Sequence, residues 1–332
     1  MSIRYKTSLL QHALSVRAWL AEHGGEAEME LASLHLTIRR DGCSVVLLPQ
    51  YVGARDGKLF YSRDVTPHTS GFVGWLPYAM KTWPGAGQKL AFKAGMDAAG
   101  IRTPPYWFKT EDIDQPFIFK MSFSSFGYGI RGPYLPAHLR LLRLAMQEGE
   151  YAERFVFGRI GRAWYWDGRL CVVELFEMPT VVGDGSSNFE TLLRRRVGEM
   201  SDLPVQPAQV ARLQGFEPGD VIARGHRVVA DYRYVSPLNP TVFENSNRLP
   251  ELAGTAIAEQ FRAGGEAAYA LIPPETQAST MFVLDAIVDG DDLVWFLEMN
   301  SNSQVHPDLY PAMLDRLFQV DAAARTVPAS PA

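Results

Sequence analysis

Residues 280–300 constrain this chain more than any other stretch: "TMFVLDAIV" and "LVWFLEMN" are apolar runs joined by "DGDD". Short runs rich in β-branched and aromatic residues, separated by an Asp-Gly turn, predict an antiparallel hairpin. A turn centred on Gly290-Asp291 sets Asp285 opposite Phe296. Alternate strand residues share a face, so this register puts Asp285, Glu298 and Asn300 side by side. A one-residue slip would move Asp285 away. Three hard oxygen donors with no His or Cys suit Mg²⁺, which binds through one or two carboxylates together with substrate phosphates. A solvent-facing strand end accounts for the same residues equally well at this point.

With 332 residues the chain can bury a large core and form two or three domains. The net charge of −5 gives no reason to expect nucleic acid, and no segment approaches the roughly 20 apolar residues of a membrane span. Cys43 and Cys171 make neither a disulfide framework nor a zinc spacing. A cytoplasmic protein without nucleic-acid or membrane partners is expected, as a monomer or a homodimer.

Residues 7–22 have the apolar spacing of an amphipathic helix, and 33–52 read as two strands broken at Asp41-Gly42. A turn-rich aromatic passage covers 61–87, followed by a helix over 87–101 that Gly100 stops. "PFIFKMSF" predicts a strand, and a Leu/Arg-rich helix is expected near 136–148. "ERFVFG", "RAWYW" and "RLCVVELFEM" read as β-structure, with Asp167-Gly168 as a hairpin turn. Residues 201–280 mix helix and turns, and 321–332 look like a frayed tail.

Lys120 ends an apolar strand, and Ser122, Ser124, Ser125, Gly127 and Gly129 follow in a loop. Small residues let backbone N–H groups approach an anion, and a lysine adds a point charge. The loop is neither a Walker A loop nor a GxGxxG turn; alone, a plain hairpin with a surface lysine is the simpler reading. Lys89 and Lys93 on the preceding helix read as solvated. Arg162 shares a strand face with Trp164 and Trp166, which suits a cation–π contact or an anion clamp. In "VVGDGSSNFETLL", Asn188 reads as a helix cap. No HExxH pair or nucleophile elbow occurs, so a covalent acyl-enzyme has no support.

The order of these groups resembles the ATP-grasp superfamily, above all its cyanophycin synthetase and glutathione synthetase-like carboxylate–amine ligases. "QKLAFKAGMDAAGIRTPP" resembles the Lys-bearing helix before "GIPTP", and "PFIFKMSFSSFGYGI" the strand and phosphate loop. "AERFVFGRIGR" is similar to the adenine-side hinge, "PTVVGDGSSNFETLL" to the "P..V.GDG" signature, and "FLEMNSNSQVHP" to the magnesium motif. The resemblance covers residues 85 to about 310. It implies an α+β, ATP-grasp fold: two α+β lobes clasping ATP, preceded by a smaller α/β N-terminal domain. The expected units are 1–85, 86–150 with the phosphate loop, 151–320 with the magnesium site, and the tail 321–332.

The resemblance further implies ATP and Mg²⁺ (or Mn²⁺) as cofactors, and amide or peptide bond formation through an acyl phosphate with release of ADP. Small-molecule carboxylate and amine substrates follow from it. Carried over by position, Lys89 and Lys120 hold the phosphates, covered by Ser124, Ser125, Gly127 and Gly129. Glu153 and Phe155 line the adenine side, and Asp285, Glu298 and Asn300 hold the metal. Arg162 faces the transferred phosphoryl group or acyl phosphate. His306 either contacts substrate or steadies the turn before Pro307, and Arg227 is a further substrate candidate. Two departures stand out: Ile160 replaces a ribose-contacting acid, and Glu177 replaces a basic residue before the "P..V.GDG" signature. A kinase of the same fold, or a nucleotide-binding relative without catalysis, is the alternative.

Overall fold

Strands Met281–Val288 and Val294–Asn300 pair antiparallel, as expected, but in a different register. Ala286, not Asp285, lies opposite Phe296; the pairing then skips Leu297, so that Asp285 faces Glu298. Such a β-bulge sets two residues of one strand against one of the other and turns the chain beyond it to the opposite face. Phe296 and Met299 therefore both enter the core behind the sheet, while Glu298 turns to the front beside Asp285. Without the bulge Glu298 would point into apolar side chains. The expected grouping of the three oxygen donors thus arises by a route that the hairpin turn alone does not predict.

The computed structural model describes residues 9–56, 58–124, 126–197, 206–234, 236, 238 and 246–320. The chain is α+β, with four sheets among these residues, and the expected tail at 321–332 lies outside them. The central sheet runs in the order Arg169–Glu177, Arg159–Trp166, Met281–Val288, Val294–Asn300. Its first hairpin turns at Asp167-Gly168, both left-handed (φ 49 and 78), the geometry that suits the strands' twist. A second skip, at Cys171, sets Arg162 opposite Glu174 where an even register would have given Val173.

Behind this sheet Ala163, Tyr165, Leu284 and Phe296 pack on helix Ala256–Ala270 and on Phe92 and Met96 of helix Lys89–Ala98. Gly264 and Gly265 let the long helix lie close: an added Cβ would come within 2.2 Å of Phe296 or 2.1 Å of Tyr165. That close approach offsets the roughly 1 kcal/mol a glycine costs in a helix.

In front, Trp164, Trp166, Val172 and Val283 join Val16 and Trp19 of helix Leu9–His23, Trp75, and Tyr310 and Met313 of helix Tyr310–Leu317. The N-terminal residues therefore share a core with the central sheet. Their own sheet has five strands, among them Thr69–Leu76 paired with Cys43–Arg55. That strand lies inside the passage expected to be turns; Gly71 and Gly74 dilute its signal, and Gly74 (φ 131) leaves room for Val305. The helix expected near 136–148 is shorter, Pro136–Leu141, ending where Arg143 turns left-handed (φ 50).

The remaining four-stranded sheet orders Tyr106–Trp107, Glu150–Arg154, Phe117–Met121 and Arg131–Tyr134. Phe117, Phe119 and Ala152 fill its core side with Tyr134, leaving Ile118, Lys120, Tyr151 and Glu153 on the other face. No helix among the described residues is long and apolar enough to cross a membrane.

Candidate active site

Four charges cross the front of the central sheet in a single row. Glu174 lies opposite Arg162, Arg162 opposite Asp285, and Asp285 opposite Glu298. Residues directly opposite on neighbouring strands share a face, so the four side chains stand together. Trp164 and Val283 bound the row on one side; Ile160, Ile287 and Leu297 bound it on the other. Apolar walls strengthen each electrostatic contact between them and make any unpartnered group costly.

The lysines come from helix Lys89–Ala98 and strand Phe117–Met121. Lys89 Nζ lies 3.0 Å from Glu298 Oε2 and donates to the Ser124 hydroxyl at 3.3 Å and to its backbone oxygen. Lys93 and Lys120 share Glu153, at 2.9 Å and 3.0 Å, and Lys93 also donates to the Pro104 carbonyl at 3.2 Å. The solvated reading of Lys89 and Lys93 is therefore wrong: both are buried, Lys93 completely. One helix face lies against the strand bearing Glu153, and buried lysines persist where a carboxylate meets them. Glu153, expected at the adenine side, has both oxygens held by these lysines, with the Tyr151 hydroxyl adding a bond at 3.2 Å.

The two facing carboxylates are driven apart. Burial pushes Asp285 up to about 6, with Glu298 adding to the rise and Arg162 opposing it. Burial acts upward on Glu298 as well, but Lys89 and Lys120 outweigh it and hold that acid below its usual range. On Lys120, burial is outweighed by Glu153 and Glu298, which raise it; on Lys93 burial wins and lowers it.

Arg162 satisfies both readings of its sequence neighbourhood. Its guanidinium carbon lies 4.5 Å from the Tyr234 ring centre and 5.3 Å from that of Trp164. Its Nε is 3.4 Å from Asp285 Oδ1, and a terminal nitrogen donates to Ser303 Oγ. Yet Arg162 Nε and Asp285 Oδ1 are buried with no hydrogen-bond partner. A buried polar group left without a hydrogen bond costs about 1–3 kcal/mol. Asn300 Nδ2 donates to the other Asp285 oxygen at 2.9 Å.

A metal fits this donor set in one way. Among the described residues no three His, Cys, Asp or Glu side chains group together, so an all-protein cage is absent. Asp285, Glu298 and the Asn300 amide instead make a two-carboxylate set, and the unpartnered Asp285 oxygen suits a cation completed by phosphate oxygens.

Phe155 lies in the apolar wall with Ile118, Ile160, Ile287 and Leu297, its ring 5.1 Å from that of Tyr232. Ile160, in place of the expected acid, continues that wall. Gly127 and Gly129 are both left-handed (φ 72 and 74), and a Cβ at Gly129 would stand 2.6 Å from Met121. Ser125 lies outside the described residues.

His306 is buried beside the row: its Nδ1 accepts from the Asp308 N–H at 3.1 Å, and its Nε2 lies 3.0 Å from Ser246 Oγ. Arg227 is not brought to the row; it is exposed on the small sheet Thr180–Val182/Arg227–Val229 and donates to Thr180 Oγ1 at 3.0 Å. Asn188 caps helix Phe189–Val197 as expected, accepting from the Thr191 N–H at 2.9 Å. Sequence reasoning missed Glu174, Tyr234 and Ser303. The first had a signal, an acid inside the apolar run "CVVELF"; the other two had none.

No family model matches the chain, and no curated protein matches it in sequence. In structure it is similar to a bifunctional glutathione synthetase from Pasteurella multocida, at 14% identity over 95% of this chain and 44% of that one, with a TM-score of 0.45. A D-alanine–D-alanine ligase from Bacillus anthracis complexed with ATP is similar at 14% identity, over 70% of this chain and 59% of that one, with a TM-score of 0.33. An L-amino acid ligase from Bacillus licheniformis is similar at 11% identity, over 66% of this chain and 41% of that one, with a TM-score of 0.31. The chain thus spans 41% to 59% of the length of these proteins.

Proposed function

We propose that this chain is an ATP-dependent carboxylate–amine ligase of the ATP-grasp kind, with 1–85 as the substrate-side unit and 86–150 and 151–320 as the two lobes. One observation carries the reading. Arg162 Nε and Asp285 Oδ1, both buried and 3.4 Å apart without a hydrogen bond, stand in a row of charges faced by buried lysines. Phosphoryl transfer asks for little covalent help; positioning and neutralisation of the phosphate oxygens supply the catalysis.

In the proposed reaction a carboxylate oxygen attacks the γ-phosphorus of ATP, and the bond to the β-phosphate oxygen breaks, releasing ADP. An amine nitrogen then attacks the acyl carbon, the acyl–oxygen bond breaks to release phosphate, and the nitrogen loses a proton. Lys89 and Lys120 neutralise the nucleotide phosphates, and the loop bearing Ser124, Gly127 and Gly129 excludes water from the acyl phosphate. Arg162 presents its N–H edge to the transferred group. Asp285, Glu298 and Asn300 would hold Mg²⁺, or Mn²⁺ in its place, which supplies charge neutralisation at the phosphate oxygens.

ADP release tests the proposal, with Mg²⁺, ATP and pools of amino acids and dipeptides, and hydroxylamine as a trap. The expected result is ADP release that needs a carboxylate, matched by hydroxamate and abolished in Glu298→Ala. A stable phosphorylated product with no hydroxamate would replace the ligase by a kinase.

A further inference from the structure

We infer that Glu174 is a positioning residue, which through Tyr234 holds the Arg162 guanidinium edge-on to the cleft. The inference rests on the phosphoryl-transfer reading of the charged row. Glu174 is wholly buried; its hydrogen-bond partners are hydroxyls, and His306 Nε2 stands 3.8 Å from its Oε1. Tyr234 donates to Glu174 Oε2 at 2.5 Å and Ser246 donates to Oε1 at 2.7 Å. The Tyr234 ring in turn lies 4.5 Å from the Arg162 guanidinium carbon.

The hydrogen positions in this chain of contacts are determined by its far end. His306 Nδ1 accepts from the Asp308 backbone, so in the neutral ring the proton sits on Nε2, facing Ser246 Oγ at 3.0 Å. Burial lowers His306, which favours that neutral ring. Ser246 therefore accepts from His306 and sends its own proton to Glu174, which accepts a second from Tyr234. Only the carboxylate accepts at both oxygens; a carboxamide sets an N–H₂ against one hydroxyl.

The consequence falls on Arg162. With the Tyr234 and Trp164 rings 4.5 and 5.3 Å from its carbon, the planar guanidinium meets a ligand through the N–H groups of its edge that Asp285 and Ser303 do not face. Glu174 also lies directly across the strand pair from Arg162, on the side away from Asp285. It thus balances the pull of the metal-side acid without capturing the arginine in a bond. A direct Glu174–Arg162 bidentate pair would instead use up the edge.

The test titrates wild type, Glu174→Gln, Tyr234→Phe and the double variant calorimetrically with MgADP, alone and with aluminium fluoride. The fluoride is a planar anionic stand-in for a transferred phosphoryl group. Wild type should bind MgADP and gain affinity from the fluoride. Glu174→Gln should bind MgADP within about twofold of wild type but lose about tenfold or more of the fluoride gain, the scale of one hydrogen bond to a charged group. Tyr234→Phe should lose part of the gain, and the double variant no more than Glu174→Gln, since both act through one contact. An undiminished gain in Glu174→Gln, or ADP affinity falling in step with the gain, overturns the inference while leaving the nucleotide reading intact. Should Glu174→Gln fail to fold, Tyr234→Phe with a full gain overturns it equally. Wild type that binds no MgADP brings down the nucleotide reading, and this inference with it.

Discussion

Two charge clusters lie close enough for Lys120 of one to act on Glu298 of the other, and they are built in opposite ways. In the Lys93–Glu153–Lys120 cluster two cations meet one carboxylate, and both its oxygens are held at 2.9 to 3.0 Å. In the row Glu174–Arg162–Asp285–Glu298 three acids meet one arginine, and two facing atoms have no hydrogen bond at all. The first cluster matches its carboxylate fully and leaves one positive charge in surplus; the second leaves facing atoms without a bond, although both consist of the same kinds of side chain.

Mutations should separate the two. Glu153→Gln leaves two buried lysines uncompensated, and unfolding by denaturant should show a loss of about 3–5 kcal/mol. A loss under about 1 kcal/mol would mean that the lysines do not depend on Glu153. Arg162→Gln should reduce ATP-dependent ADP release about 10²–10³-fold, as removal of one preorganised charge donor does. Its stability should fall less than that of Glu153→Gln, because Asp285 can take up a proton. Equal stability losses in the two variants would erase the distinction.

The third prediction concerns pH. Burial lifts Asp285 to about 6, above an unfolded carboxylate, so the folded chain binds that proton more tightly. Its contribution to stability is present in full only below roughly pH 4 and is lost as pH rises through 6. Asp285→Asn should therefore gain on wild type between pH 4.5 and 7, by about 2 kcal/mol in the ligand-free protein. A parallel pH profile for the two would show that the row does not strain the empty fold. At the small end, Asn188→Ala removes a half-buried helix cap and should cost about 1 kcal/mol. That sets the scale of an ordinary polar contact against which both clusters are read.

The sequence made the strands legible, and the turns too, because Asp-Gly pairs at 41–42 and 167–168 take the left-handed geometry such hairpins need. It also grouped Asp285, Glu298 and Asn300. What it hid was the pair of one-residue skips, at Cys171 and Leu297, that turn Glu174 and Glu298 to the front of the sheet. A bulge leaves no mark in the alternation except an acid out of phase, and both acids are out of phase with their hairpins. Lys93 misled for another reason: a helical lysine reads as solvated until the strand bearing Glu153 is known to lie against it. The carboxylate that holds it comes from 60 residues away, beyond the reach of any local pattern.

A crystal structure of the chain with MgADP tests the central claim most directly. In this structure Lys89 pairs with the carboxylate of Glu298, at 3.0 Å. The account predicts that nucleotide phosphates draw Lys89 away, that the cation takes Asp285 and Glu298, and that Lys120 keeps Glu153 while reaching the phosphates. A nucleotide bound elsewhere, with the Lys89–Glu298 pair unbroken and Asp285 still unpartnered, would contradict it.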